Sequence, residues 1–208
     1  MKIGLAGVPG SGKTALAEAL KTALEELDDQ NTLPVAIVDG YVEELQKETD
    51  LAFGFFGTYI GNTHIALKRE TKERLFAKDH NTVITCGTLF ETSSYAGQHM
   101  EEEYEILSKH QEKERYDLIL RVEAMTRFLS CLYMDTIDYD YIFYLPPVEE
   151  VSDFRIKELE KNLQAAFNGF KLFPITSLFV EGDNMLEITE DRLKIVLEKV
   201  LNANNSEG

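Results

Sequence analysis

The octapeptide Gly7-Val8-Pro9-Gly10-Ser11-Gly12-Lys13-Thr14 has the spacing G-x-x-x-x-G-K-[ST], directly after an apolar run, Lys2 to Val8, and directly before a segment of helical period. Glycines at these places let successive backbone amides turn inward, and the amino end of the following helix adds partial positive charge, so the loop forms a nest for phosphate oxygens. Gly7, Gly10, Ser11 and Gly12 would line the phosphates, Lys13 would reach the β- and γ-phosphates, and the Thr14 hydroxyl would ligate Mg²⁺. A glycine-rich turn that binds nothing is the competing reading, and the position between strand and helix argues against it.

A carboxylate closes the second apolar run, where Asp39 is followed by Gly40-Tyr41. Phosphoryl transfer to a neutral hydroxyl benefits from a base, whereas a phosphate acceptor already brings an oxyanion. Asp39 is therefore a candidate catalytic and acceptor-binding group, although Asp-Gly is also a good turn pair. Leu51 to Asn62 holds four aromatic residues and three glycines, a composition suited to a flap that stacks a planar base, or to aromatics packing under a loop. Phe55 and Tyr59 are its candidate stacking residues. Asn62 and Arg69 could read the acceptor, but Lys68, Arg69, Glu70, Lys72, Glu73 and Arg74 also read as i,i+4 pairs on an exposed helix. Glu91, five residues past Cys86, is placed in a loop over the site or serves as a helix-start acid. The acidic run Glu101 to Glu105 reads as a solvated helical face.

Five short apolar runs must position these groups: Lys2 to Val8, Pro34 to Asp39, Thr82 to Cys86, Tyr141 to Leu145 and Ile175 to Glu181. Several are nearly continuous in Val, Ile, Leu and Phe, as parallel strands buried on both faces are. Between them lie segments of helical period. Gly12 to Leu27 carries Leu16, Leu20, Leu24 and Leu27 on one stripe, and others follow at 63–78, 94–109, 115–136, 148–167 and 188–201. Pro146-Pro147 stops the fourth strand. Strands alternating with helices predict an α/β fold, a parallel sheet between two helical layers, with ligands at the carboxyl ends of the strands.

The chain's 208 residues make one domain over 1–201, with a polar tail, 202–208, expected to fray. Hydrophobic residues at 44% and charged residues at 28% exclude a chain disordered throughout. A net charge of −16 disfavours a broad duplex-binding face, yet leaves room for one phosphate-lined pocket. The two cysteines, Cys86 and Cys131, make no disulfide framework and have no metal-ligand spacing to the four histidines, so a cytoplasmic setting is expected. No stretch reaches the roughly 18 apolar residues of a membrane span.

On its phosphate loop, its length and its strand-helix layout, the chain resembles the P-loop nucleoside and nucleotide kinase-like superfamily, in particular small kinase domains similar to nicotinamide riboside kinase and phage-encoded kinases. The resemblance implies a three-layer P-loop NTPase fold with a five-stranded parallel sheet in the order 2-3-1-4-5. It implies an ATP-dependent phosphotransferase using ATP and Mg²⁺, and a nucleoside, nucleotide or related hydroxyl acceptor. A modified pyrimidine base in DNA is an alternative acceptor, and a regulatory ATPase switch without a small acceptor is an alternative function. Gly182 and Asp183, in the turn after the fifth strand, would pack on the adenine. Arg121 on the long helix and Arg155 on the closing helix would direct guanidinium groups at phosphate. The Asp that usually closes the third strand in this family is missing from Val83-Ile84-Thr85-Cys86, so either Asp39 or Glu91 would take over its hold on the metal through water, or the protein is a weak or non-hydrolysing nucleotide binder. A monomer is expected, or a homodimer through the 115–136 helix.

Overall fold

A computed structural model of the chain describes residues 1–27, 34–39, 41–48, 59–88, 91–92, 95, 139–147, 153–170, 176–179 and 185–204. Its centre is a five-stranded sheet of β1 (Lys2–Ala6), β2 (Val35–Val38), β3 (Thr82–Cys86), β4 (Tyr141–Tyr144) and β5 (Thr176–Phe179), in the order β2-β3-β1-β4-β5. Every pairing is parallel, with Ile3 opposite Ile84 on one side and Tyr141 on the other, Val38 opposite Thr85, and Tyr144 opposite Phe179. The helices are α1 (Lys13–Leu27), α2 (Tyr41–Glu48), α3 (Tyr59–Asp79), α4 (Phe154–Phe170) and α5 (Met185–Asn204).

The chain divides into two compact units. The first comprises Met1–Asp39, Lys72–Thr88 and Tyr139–Gly208 and contains the whole sheet. Ile3 and Leu5 of β1 bury one face against Leu16, Ala17 and Leu20 of α1 and against Val196 and Val200 of α5. Gly4 faces the other way, where a Cβ would stand 2.6 Å from the Thr88 methyl and 3.1 Å from the Tyr139 ring. With side chains covered on both faces, the strands need apolar residues in succession, and β1, β3 and β4 are buried almost throughout. The second unit comprises Gly40–Thr71 and Leu89–Asp138; within it Leu45 of α2 and Ile65 and Ala66 of α3 are buried.

Several boundaries differ from the sequence expectation. α2 was not expected, because Asp39-Gly40 reads as a turn and Tyr41, Val42 and Leu45 give only one short apolar stripe. α3 starts at Tyr59 and not Thr63. α4 is described from Phe154, with Asp153 as its cap: the carboxylate Oδ1 accepts the Arg155 N–H at 2.9 Å. α5 continues through Asn204, past the end expected at Leu201; no glycine or proline interrupts the ladder there. The helices expected at 94–109 and 115–136 lie outside the described residues, apart from Tyr95. Among the described residues no helix is long and apolar enough to cross a membrane.

Candidate functional site

The loop between β1 and α1 is shaped by its glycines. A Cβ on Gly7 would collide with the carbonyl oxygen of Leu145 and lie 2.6 Å from Ser11 Oγ, so the loop can pass this close to the end of β4 only without a side chain. Gly10 and Gly12 stand at φ 81° and 83°, the left-handed region that turns the chain back on itself. The Ser11 N–H donates to the carbonyl of Val8 at 3.2 Å and closes the turn. Lys13 folds over the loop, its Nζ donating to the carbonyls of Gly7 at 2.6 Å and Val8 at 3.1 Å. Ser11 is fully buried, and its Oγ has no hydrogen-bond partner among the described residues.

At the first turn of α1, the Thr14 hydroxyl donates to Asp39 Oδ2 at 2.8 Å. β2 is an edge strand separated from β1 by β3, so Asp39 reaches the loop from one strand further away than a third-strand acid would. Since Val38 pairs with Thr85, Asp39 stands level with Cys86, the last residue of β3. Thr85 and Cys86 are both buried, and Cys86 belongs to the apolar core. A carboxylate thus stands beside the end of β3, on the neighbouring strand. Among the described residues no three His, Cys, Asp or Glu side chains cluster as a metal cage. Thr14 and Asp39 fit instead the sparse seat of a magnesium ion that takes its remaining ligands from phosphate and water.

Arg192 of α5 was not singled out in the sequence. Its side chain is buried, with Nη1 donating to the Ser11 carbonyl at 2.6 Å and Nη2 to the Pro146 carbonyl at 3.1 Å. Burial lowers its pKa from the ordinary value, yet a guanidinium stays protonated in proteins. The available signal was its spacing: Arg192, Val196 and Val200 are i, i+4 and i+8 on one buried helical stripe, so a charge occupies a core position. Arg155, by contrast, is exposed, and the contact it makes with the Asp153 carboxylate runs through its backbone amide and not through its guanidinium.

The remaining described candidates belong to the second unit, where Asn62, Arg69 and Glu91 are all buried. Arg69 Nη1 donates to Thr92 Oγ1 at 2.5 Å, and Tyr95 OH donates to Glu91 Oε1 at 3.0 Å. The exposed-face reading fails for Arg69, and also for Glu73 in the first unit. Glu73 is buried, accepts the Tyr139 hydroxyl at 2.6 Å and pairs with Lys2 Nζ at 2.5 Å. Tyr59 opens α3, and Phe55, Arg121, Gly182 and Asp183 lie outside the described residues.

No protein-family model and no curated protein matches the sequence. Solved structures do match the fold. The NadR protein in complex with NAD and AMP-PNP superposes with a TM-score of 0.60 at 13% identity, over 95% of this chain and 48% of that one. This chain thus spans about half the length of NadR. Thymidylate kinase from Ehrlichia chaffeensis gives a TM-score of 0.57 at 14% identity, covering 94% of this chain and 98% of that one. Deoxyadenosine kinase from M. mycoides gives 0.51 at 15% identity and covers 100% of both chains.

Proposed function

We propose that this chain, which has the parallel α/β fold of P-loop nucleoside and nucleotide kinases, is an ATP-dependent phosphotransferase acting on a hydroxyl of a nucleoside, nucleotide or related compound. The observation that carries the reading is the hydrogen bond from Thr14 to Asp39 beside a glycine-shaped loop. A turn that only joined strand to helix would need neither a lysine folded over its carbonyls nor a carboxylate brought to its threonine from an edge strand. The kinase neighbours share the fold and support the reaction class.

In this reading Gly7, Gly10, Ser11, Gly12 and Lys13 hold the ATP phosphates. Lys13 exchanges its bonds to the Gly7 and Val8 carbonyls for phosphate oxygens, which offsets negative charge where it accumulates during transfer. Thr14 and Asp39 would seat Mg²⁺, which when bound neutralises the phosphate charge and holds the transferring group in line. The acceptor hydroxyl forms the new bond to the γ-phosphorus, the bond to the bridging oxygen breaks, and ADP leaves with that electron pair. Asp39 takes the acceptor proton, a role open to a carboxylate at a carboxyl strand end. Asn62, Arg69 and Glu91 of the second unit are the proposed acceptor-recognition groups, with Phe55, Tyr59 and Arg121 as further candidates. Gly182 and Asp183 are proposed for the adenine and Arg155 for the transferring phosphoryl group.

The test is ADP release from ATP·Mg²⁺ with and without acceptor, over nucleosides, nucleotides and DNA containing 5-hydroxymethylpyrimidines. Release that requires one of these acceptors supports the proposal and names the substrate class. Release at the same rate with no acceptor makes the protein an ATPase.

A further inference from the structure

We infer that Arg192 is a positioning residue of the phosphate loop, acting through the Ser11–Gly12 peptide: its guanidinium holds that peptide's carbonyl so that the Gly12 N–H is presented to phosphate as a strengthened donor. The inference rests on the reading of the loop as a phosphate site.

The geometry is specific. Nη1 donates to Ser11 O at 2.6 Å, and Nη2 donates to Pro146 O at 3.1 Å, so one planar fork joins the loop after β1 to the segment after β4. Nη1 also lies 3.7 Å from where a Cβ of Gly12 would be, directly against the peptide that it engages. The carbonyl of Ser11 and the N–H of Gly12 belong to the same peptide group. A cation on that carbonyl withdraws electron density from the amide, and its N–H becomes a better donor to an anion. Two neutral carbonyls receive the fork, and among the described residues no carboxylate pairs with it. A buried charge with no counter-charge is costly, and phosphate on the loop would supply one.

The same contact ties the loop to α5. Val196 and Val200, one and two turns beyond Arg192, are packed in the core with Leu16 and Leu20 of α1. A helix anchored in this way gives the guanidinium a fixed place, and a fixed donor is what a preorganised anion site requires.

The experiment compares the unaltered protein with Arg192→Gln and Arg192→Lys, using inorganic tripolyphosphate as the probe and calorimetric titration as the readout, at a temperature where each variant is folded by circular dichroism. If the unaltered protein does not bind tripolyphosphate, the phosphate-loop reading itself fails. If it does, Arg192→Gln is expected to bind about tenfold more weakly, the scale of one charge-assisted hydrogen bond, with Arg192→Lys in between. A purely structural arginine would lower the melting temperature and leave affinity in the folded state within twofold, which would overturn the inference. Hydrogen exchange on the unaltered protein gives an answer even if neither variant folds. Tripolyphosphate should slow amide exchange in α5 around Arg192 together with the loop, and slowing confined to the loop would overturn the inference.

Discussion

The Thr14 hydroxyl donates to Asp39 Oδ2 across 2.8 Å, joining the first turn of α1 to the end of the edge strand β2. The two residues are 25 positions apart in sequence, and a whole strand, β3, separates β2 from β1, so the contact depends on the sheet order. It brings an exposed carboxylate to the threonine that follows the glycine-rich loop, where β3 itself ends in buried Thr85 and Cys86.

Replacing Asp39 by Asn keeps an oxygen to accept the Thr14 hydroxyl and removes the charge. Turnover is expected to fall by about 10²–10⁴-fold, the usual contribution of a positioned base. Affinity for metal-free ATP and the melting temperature should stay close to those of the unaltered protein. Steady-state kinetics and titration check this, and retention of more than a tenth of the activity would remove Asp39 from the chemistry.

At Gly7 the prediction is steric. In Gly7→Ala, the new methyl meets the backbone carbonyl of Leu145 and the side chain of Ser11, which is itself fully buried. The loop must shift, at a stability cost of about 1–3 kcal/mol by analogy with overpacking. ATP affinity should fall with it, because the same shift moves the amides that face phosphate. A denaturant melt and an ATP titration on one preparation read both effects.

The loop, the five strands and the place of Asp39 were legible because each depends on local pattern. A glycine motif, short β-branched runs and an acid at a strand end are visible without knowing what lies across the sheet. The buried face of α3 was not. Asn62, Ile65, Ala66, Arg69 and Glu73 follow 3–4 spacing, but three of the five are polar, so hydrophobic periodicity gives no stripe to follow. Their burial is satisfied by partners distant in sequence, among them Thr92 for Arg69, and Tyr139 and Lys2 for Glu73. The partners of Arg192 were hidden for the same reason, since they are backbone carbonyls that no side-chain type announces; only its place on the stripe with Val196 and Val200 was visible.

Glu73 provides a control away from the loop. It accepts Tyr139 OH and pairs with Lys2 Nζ, and Lys2 belongs to the first position of β1. Glu73→Ala leaves a buried hydroxyl and an ammonium without their partner, and should cost about 2–3 kcal/mol in a chemical denaturation. At temperatures where the variant is folded, the KM for ATP should stay within twofold. A large change in that KM would mean that this cluster influences the phosphate site.

Arg69 separates recognition from chemistry. Arg69→Met keeps much of the apolar stem and removes the donor to Thr92. The expected result is an acceptor KM raised about tenfold, the scale of a charged hydrogen bond, with the KM for ATP unchanged. Equal changes in both constants would assign Arg69 to the general fold and not to acceptor recognition.

The central claim is phosphoryl transfer from ATP to a hydroxyl acceptor, and acceptor-dependent ADP release tests it most directly. With ATP·Mg²⁺ and the panel of nucleosides, nucleotides and hydroxymethylated DNA, the account predicts ADP formed in equal amount to phosphorylated acceptor, and almost none when acceptor is withheld or Lys13 is replaced by Ala. ADP formed at one rate with and without every acceptor, or no ADP at all from a protein that binds ATP, would contradict it.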